Sequence, residues 1–200
     1  MVSIWGLRLA AYIFIRHKGE DFRYKEFRQA WESVNQTWFP YVIAFFQVFM
    51  LQAVLALLVN CSALYVSLAS PDDDLIWLDY VGLAVWAFGM LFEIVADRQM
   101  QNFRNLNSGK GLVCKTGLWR YSRHPNYFGE AVIWWGVWLV SCSVTWGWAT
   151  VFSCVLITLF LRYVSGVPFL EKAAVTRKGW EEYCKETNCF IPWFVRHQTV

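Results

Sequence analysis

LIWLDYVGLAVWAFGMLFEIVA, residues 75–96, decides the fold of this chain. The run is apolar over about the 20 residues that a helix needs to cross a bilayer. Its polarity returns only near the end, at Glu93, and beyond Ala96 a polar helical stretch continues to about Arg104. Three further runs are long enough to span: Tyr41 to Ala69, Tyr127 to Val144, and Trp148 to Val164. The first of these is long and has room to tilt or to begin in the interface. A shorter apolar piece, Ser3 to Ile15, holds Arg8 and reads as the last part of a membrane helix. It lacks the basic start and small-residue cleavage site of a signal peptide. The expectation is an all-α polytopic membrane helix bundle, with four full spans plus a partial N-terminal span. No linker or repeat divides residues 1–200, so they read as a single membrane domain.

Composition agrees. The chain is 57% hydrophobic and 16% charged, against about a quarter charged in soluble domains. Its 13 tryptophans suit a large membrane–water interface. A net charge of +3, with no basic stripe interleaved with aromatics, argues against nucleic acid. Cys61, Cys142 and Cys154 lie in apolar runs; Cys114, Cys184 and Cys189 lie in polar ones. No CxxC or His/Cys spacing points to zinc, so no metal is expected, and the thiols read as free in a reducing compartment.

Loop charge alternates. Arg16 to Arg28 is basic, Pro71-Asp72-Asp73-Asp74 acidic, Arg98 to Arg123 basic, Ser143 to Gly147 uncharged, and the tail after Arg162 basic. The positive-inside rule then puts the basic loops and the C-terminus in the cytoplasm. An endoplasmic reticulum membrane and a bacterial inner membrane fit equally.

The chemistry-bearing residues gather on that face. Glu93, Asp97 and Gln101 are spaced by four and share a helical stripe, with Arg104 close to it. They are read either as a helix-end salt-bridge network or as a ligand-facing edge. Arg120, Arg123 and His124 precede Pro125, a residue suited to a first helical turn. Asn126 and Glu130 share the next face. Backbone N–H groups at a helix start favour anions, and the Arg123 fork suits phosphate. The alternative is a capped helix with snorkelling cations. Ser108-Gly109-Lys110-Gly111 lacks the full phosphate-loop pattern and reads as a flexible turn. Arg162 ends the last span, and Ser165-Gly166-Val167-Pro168 breaks the helix after it. Gly179 to Tyr183 and Phe190 to Trp193 read as an amphipathic tail on the membrane. Gly19 to Tyr24 is a charged loop, placed either over a site or in solvent. No Ser/His/Asp set is apparent, and among His17, His124 and His197 only His124 lies in a dense polar motif.

The run TGLWRYSRHPNYFGEAVIWW, residues 116–135, resembles the C-terminal membrane domain of the steroid 5-alpha-reductase superfamily, nearest its bacterial and protist branch. Trp5 to Leu9, Gly19-Glu20-Asp21 with Arg23-Tyr24, Phe92-Glu93 with Ala96-Asp97, Ser165 to Pro168 with Leu170-Glu171-Lys172, and Phe190-Ile191-Pro192 follow the same order. The resemblance implies about seven spans, NADPH as hydride donor, and reduction of a carbon–carbon double bond conjugated to a carbonyl. The hydrophobic substrate would be lipid or steroid-like. Carried over by position, the cofactor residues are Asp97, Arg104, Tyr121, Asn126, Glu130 and Arg162. Glu93 stands where animal steroid enzymes have an amide, and Gly166 where they have a histidine. Arg123 and His124 belong to this branch's version of the motif; their phosphate role is inferred from charge and placement. The family's proton donors, a Glu and a Tyr, come from its second and third spans. The chain starts inside the counterpart of the third, near Trp5, where no such tyrosine stands. The N-terminal spans are therefore expected to lie outside it, and the catalytic residues are unknown.

Arg123-His124-Pro125-Asn126-Tyr127-Phe128-Gly129 also resembles isoprenylcysteine carboxyl methyltransferases, which use S-adenosylmethionine; Glu181-Glu182-Tyr183 is compatible with their acidic segment. Asn126 with Gly129-Glu130, the Glu93/Asp97 pair and the 165–172 segment favour the reductase. A non-catalytic membrane scaffold or lipid-binding relative is the remaining reading.

Overall fold

A computed structural model describes residues 1–16, 29, 39–69 and 74–196. The charged loop at 19–24, the acidic residues 71–73, His17 and His197 fall outside the described residues. Helix α1 is Val2–Arg16. Helix α2, Phe39–Ala44, passes through a wider π-helical stretch, Phe45–Met50, into α3, Leu51–Val59. Helix α4 is Cys61–Ala69, α5 Trp77–Leu106 and α6 Pro125–Ser141. A 3-10 turn at Gly147–Thr150 leads into α7, Val151–Leu159, which widens into a π-stretch at Phe160–Val164. Helices α8, Val167–Ala174, and α9, Trp180–Glu186, complete the order.

The all-α expectation holds. Three helical stretches, Val42–Val59, Trp77–Leu106 and Gly147–Ala174, are long and apolar enough to cross a membrane. The expected span at Tyr127 to Val144 becomes α6, of 17 residues, at the short end of the spanning range of about 17–25. The expected run from Tyr41 to Ala69 is interrupted at Asn60. There the side-chain Nδ2 and the backbone N–H both donate to the Ala56 carbonyl, at 2.8 and 3.0 Å. An asparagine amide competes in this way with the helical ladder.

The chain forms two compact units, Met1–Cys61 and Ser62–Val200. The site lies in the second, whose frame is the α5–α6 pair. Its sequence allows an unusually close approach, because glycine alternates between the two helices at their crossing. A Cβ at Gly82 would lie 2.9 Å from the Gly136 carbonyl, and one at Gly136 2.5 Å from the Trp86 nitrogen. One at Gly89 would lie 2.8 Å from the Gly129 carbonyl, and one at Gly129 2.8 Å from the Glu93 nitrogen. Small residues of this kind let membrane helices pack backbone to backbone. At its start α5 is held by Asp79, whose Oδ2 accepts the Ile76 N–H at 2.9 Å.

A buried hydroxyl knot ties the other end of this unit. Ser62 Oγ lies 2.9 Å from Thr150 Oγ1 and 2.5 Å from Ser153 Oγ, while Ser141 Oγ lies 3.0 Å from Thr150 Oγ1. Each hydroxyl is both donor and acceptor, so the four satisfy one another where water is excluded. The turn between α6 and α7 depends on Gly147: a Cβ there would sit 1.6 Å from the Ser141 carbonyl oxygen. Gly147→Ala is expected to cost about 2–4 kcal/mol, within the range for forced backbone strain and core disruption. A lowered melting midpoint in detergent checks this; an unchanged midpoint would mean that the turn opens freely.

Candidate functional site

The site is built where α5 loses its apolar character and α6 begins. Gly129 brings the α6 backbone against Glu93, so Glu93 and Asp97 face the bundle and are buried at 4% and 7% exposure. Both carboxylates have interaction partners. The segment before α6 is stapled onto the same stretch of α5. Trp119 Nε1 donates to the Ala96 carbonyl at 3.0 Å, and the Leu118 N–H donates to Gln99 Oε1 at 2.8 Å. Gly117 makes this possible, because its φ of 61° is left-handed and a Cβ would strike the Gln99 amide at 2.4 Å. Asp97 therefore lies beside the polar motif that precedes α6.

Pro125 occupies the first turn of α6, as its residue type predicts. His124 stands just before it. The His124 ring is 4% exposed and stacks on Tyr127, with ring centres 5.9 Å apart and planes 12° apart. Its Nε2 faces Glu171 Oε1 at 3.4 Å. Among the described residues, His124 Nδ1 and Asn126 Oδ1 are buried without a hydrogen-bond partner. Buried polar atoms are rarely left so; indole nitrogens, that of Trp86 among them, share this state, but these two stand within one helical turn, at the start of α6. Arg104, Glu130 and Arg162 are half-buried, while Tyr121 is 40% exposed. Arg162 lies over the Tyr163 ring at 4.8 Å.

Arg123 departs from the expected anion cradle. Its Nε donates to Glu171 Oε1 at 2.8 Å, its Nη2 pairs with the same oxygen at 2.8 Å, and its Nη1 donates to the carbonyls of Cys184 at 3.1 Å and Thr187 at 2.8 Å. The fork expected to meet a phosphate is thus directed at the protein. The physical reason is that Glu171 and the end of α9 supply one carboxylate and two carbonyls within reach of the guanidinium. The ion pair and its hydrogen bonds outweigh burial, so the Arg123 guanidinium is held more firmly protonated.

Glu171, Thr187 and Cys189 belong to this hub, and spacing along the chain did not assign them to it. The Cys189 thiol donates to Glu171 Oε1 at 3.3 Å. Burial, with the Glu171 charge, pushes it up to about 11, which favours the neutral thiol. His124, Glu171 and Cys189 bring a nitrogen, an oxygen and a sulfur within 4.8 Å of one another. Those are metal-ligand types, but Arg123 holds the same carboxylate oxygen and would repel a cation there. The trio closes on itself through hydrogen bonds.

The tail also differs from expectation. Tyr183, expected on the membrane surface, is buried, and its hydroxyl donates to the Trp119 carbonyl. Phe190 packs against Ala131, Leu161 and Val167. Ser122 Oγ fixes the same strand-like segment by donating to the Phe190 carbonyl at 2.8 Å. The chain after α9 is thus a prop beneath the start of α6; of its large apolar residues Ile191, Trp193 and Phe194 stay exposed. Gly166 has a packing reason of its own. A Cβ there would lie 2.5 Å from the Leu161 carbonyl and 3.0 Å from Tyr127 Cε2, so no larger side chain fits.

Burial lowers the protonation tendency of His124 below its ordinary 6.5; the Arg123 and Arg162 charges add to this, while Glu171 opposes it. The unfolded chain therefore binds the proton more readily. The stability His124 contributes is complete above pH 6.5 and is lost as pH falls through the lowered folded value. Melting midpoints measured from pH 7.5 down to 5 should fall, and the fall should be smaller in His124→Gln. Equal slopes in both proteins would assign the effect elsewhere.

Comparisons with known proteins place this geometry in a family. A family model described as "Protein of unknown function (DUF1295)" matches residues 1–187. The chain is 33% identical over 115 residues to 3-oxo-5-alpha-steroid 4-dehydrogenase 1 of Bos taurus, covering 57% of this chain and 41% of that one. It is 31% identical over 122 residues to the steroid 5-alpha-reductase DET2 of Arabidopsis thaliana, covering 58% and 42%. To DET2 of Solanum lycopersicum it is 34% identical over 127 residues, covering 61% and 45%. The chain spans less than half the length of these curated relatives. No solved structure matches it significantly. By motif, helical architecture and matched length, the chain belongs to the DUF1295 family, within the steroid 5-alpha-reductase superfamily.

Proposed function

We propose that this chain is the cofactor-binding portion of a membrane-embedded, NADPH-dependent reductase. The reaction is reduction of a carbon–carbon double bond conjugated to a carbonyl in a lipid or steroid-like substrate. The observation that carries this reading is the buried polar corner at Gly129, where Glu93 and Asp97 of α5 meet the start of α6 beside the buried, unpartnered His124 Nδ1 and Asn126 Oδ1. A membrane bundle retains such costly groups where they serve a ligand. Relatives named as a steroid 4-dehydrogenase and a steroid 5-alpha-reductase support an oxidoreductase reading over a methyltransferase.

In this proposal Asp97, Arg104, Tyr121, Asn126, Glu130 and Arg162 hold the cofactor, with Arg104 and Arg162 facing its phosphates. NADPH, when bound, supplies the hydride. The carboxylates accept from its hydroxyl and amide groups and orient it, while the apolar walls of α5 and α6 exclude water. Arg123 is a positioning residue that holds the chain after α9 beneath the site, and His124 a cofactor-facing one. The basic loops put the site and the C-terminus on the cytoplasmic side, where NADPH is available.

Thermal titration of the purified chain with NADPH and, separately, S-adenosylmethionine tests this. Saturating NADPH, at about 100 times its Kd, stabilises by about 2.7 kcal/mol and raises the midpoint. A rise with S-adenosylmethionine alone would replace the reductase by a methyltransferase; no rise with either, for folded protein, would favour a scaffold. Asn126→Ala and Glu130→Ala should each weaken NADPH binding about tenfold, the loss of a charged or buried hydrogen bond, at unchanged helix content. Unchanged affinity in both would remove them from the site.

A further inference from the structure

His124 is not matched in the steroid enzymes, and its environment specifies more than its burial. Nε2 faces Glu171 Oε1 at 3.4 Å. An ionised carboxylate only accepts, so the proton of a neutral imidazole sits on Nε2 and leaves Nδ1 bare. That bare nitrogen is buried and meets no donor among the described residues. It does not cap α6. The ring cannot easily swing to find a partner. It stacks on Tyr127, Tyr127 rests against Gly166, and Arg123 holds Glu171 by a hydrogen bond from Nε and an ion pair from Nη2, both at 2.8 Å.

We propose that His124 Nδ1 accepts a hydrogen bond from an amino group of the bound cofactor, an amino group that stands beside an acceptor atom. The nicotinamide carboxamide and the amino-bearing edge of adenine share this chemistry. Phosphate does not, because at neutral pH it is chiefly an acceptor and would face the bare nitrogen lone pair to lone pair. Withdrawal of the Arg123 fork into the protein agrees with an uncharged group here. The neighbouring acceptor atom is met by the first turn of α6, whose leading N–H groups lack intrahelical partners. Pro125 has no N–H and the Phe128 N–H bonds the His124 carbonyl at 3.1 Å, which leaves the Asn126 and Tyr127 N–H groups of the first turn for it. Burial and the flanking arginines keep the imidazole neutral, as an accepting Nδ1 requires.

The inference rests on the NADPH reading, and the test separates the two. The full chain in detergent is titrated with NADPH, with the 3-acetylpyridine analogue, whose methyl ketone replaces the carboxamide amino group, and with the hypoxanthine analogue, whose oxo group replaces the adenine amino group. In the wild type one analogue should bind about five- to tenfold more weakly, the loss of one hydrogen bond; which one identifies the source of the amino group. That penalty should fall below twofold in His124→Phe, which keeps a ring against Tyr127 but has no acceptor, and persist in part in His124→Gln, whose amide oxygen accepts. Should the phenylalanine variant not fold, loss of the penalty in His124→Gln overturns the proposal. NADPH binding with both analogues equal to it overturns the proposal and leaves the cofactor reading standing. An analogue penalty that is the same in His124→Phe also overturns it. Folded wild-type protein that binds no NADPH removes the cofactor reading and this inference together.

Discussion

Gly129→Val is expected to abolish NADPH-dependent stabilisation and to lower the melting midpoint in the absence of ligand. The first link is steric. A Cβ at 129 would stand 2.8 Å from the Glu93 nitrogen and 3.0 Å from its Cα and Cβ. These are backbone or backbone-proximal atoms, and a rotamer change cannot relieve the overlap. The helices must separate or slide, and overpacking of this kind costs about 1–3 kcal/mol. The second link is functional. Glu93 and Asp97 reach the start of α6 only because the backbones approach at this position. Separation moves the carboxylates away from Asn126 and Glu130, and misplacement by about 1 Å is enough to damage an oriented site. Gly6→Ala supplies the contrast, since nothing lies within 4 Å of a Cβ there and alanine is the better helix former. It should leave stability equal or slightly improved. Full NADPH binding by Gly129→Val would show that the α5–α6 contact does not build the site.

Arg123→Met should destabilise the ligand-free protein by about 2–3 kcal/mol and loosen residues 180–190 selectively. The substitution keeps an unbranched side chain but removes the ion pair to Glu171 and the donors to the Cys184 and Thr187 carbonyls. Breaking a fully buried pair costs about 3–5 kcal/mol; the half-exposed Glu171 justifies the lower figure. Arg123→Lys should not rescue, because a compact ammonium lacks the planar fork that serves a carboxylate and two carbonyls at once. Hydrogen exchange of the 180–190 amides, measured without ligand, is the readout. A phosphate-binding arginine would leave that exchange unchanged and lose only cofactor affinity, so unchanged exchange would return Arg123 to the expected cradle. Lys115, paired with Glu182 at 2.8 Å on the surface, sets the scale for a contact that matters little. Lys115→Ala should stay within the range of about 0–1 kcal/mol for exposed pairs.

Much of the architecture was legible because membrane helices announce themselves by length and polarity. The pattern of residues 75–104 predicts one long helix with a polar end, and α5 runs Trp77–Leu106. Pro125 marked the start of α6, and the Ser165 to Pro168 break lies between the π-stretch and α8. The interruption at Asn60 was missed, since a single amide inside an apolar run leaves no trace in hydropathy. The four-residue spacing of Glu93 and Asp97 correctly put both carboxylates on one buried stripe. The glycines that make this stripe useful, Gly82, Gly89, Gly129 and Gly136, carried no such signal singly, because only the partner helix shows what a Cβ would strike.

By itself the sequence determined that the chain crosses a membrane as helices, where those helices start and stop, and which polar residues stand at their ends. Those properties depend on local composition and on spacing within one helix. The tertiary structure alone decided what the polar residues do. Arg123 and Glu171 are 48 positions apart in sequence, and nothing local to either predicts a guanidinium closing on a carboxylate and two distant carbonyls. Once that pair forms, it sets the Glu171 oxygen that His124 Nε2 faces at 3.4 Å. Hydrogen bonding and charge act between groups brought together by packing, so the motif in residues 116–135 supplied the groups, and the approach of α5, α6 and the chain after α9 gave each its role.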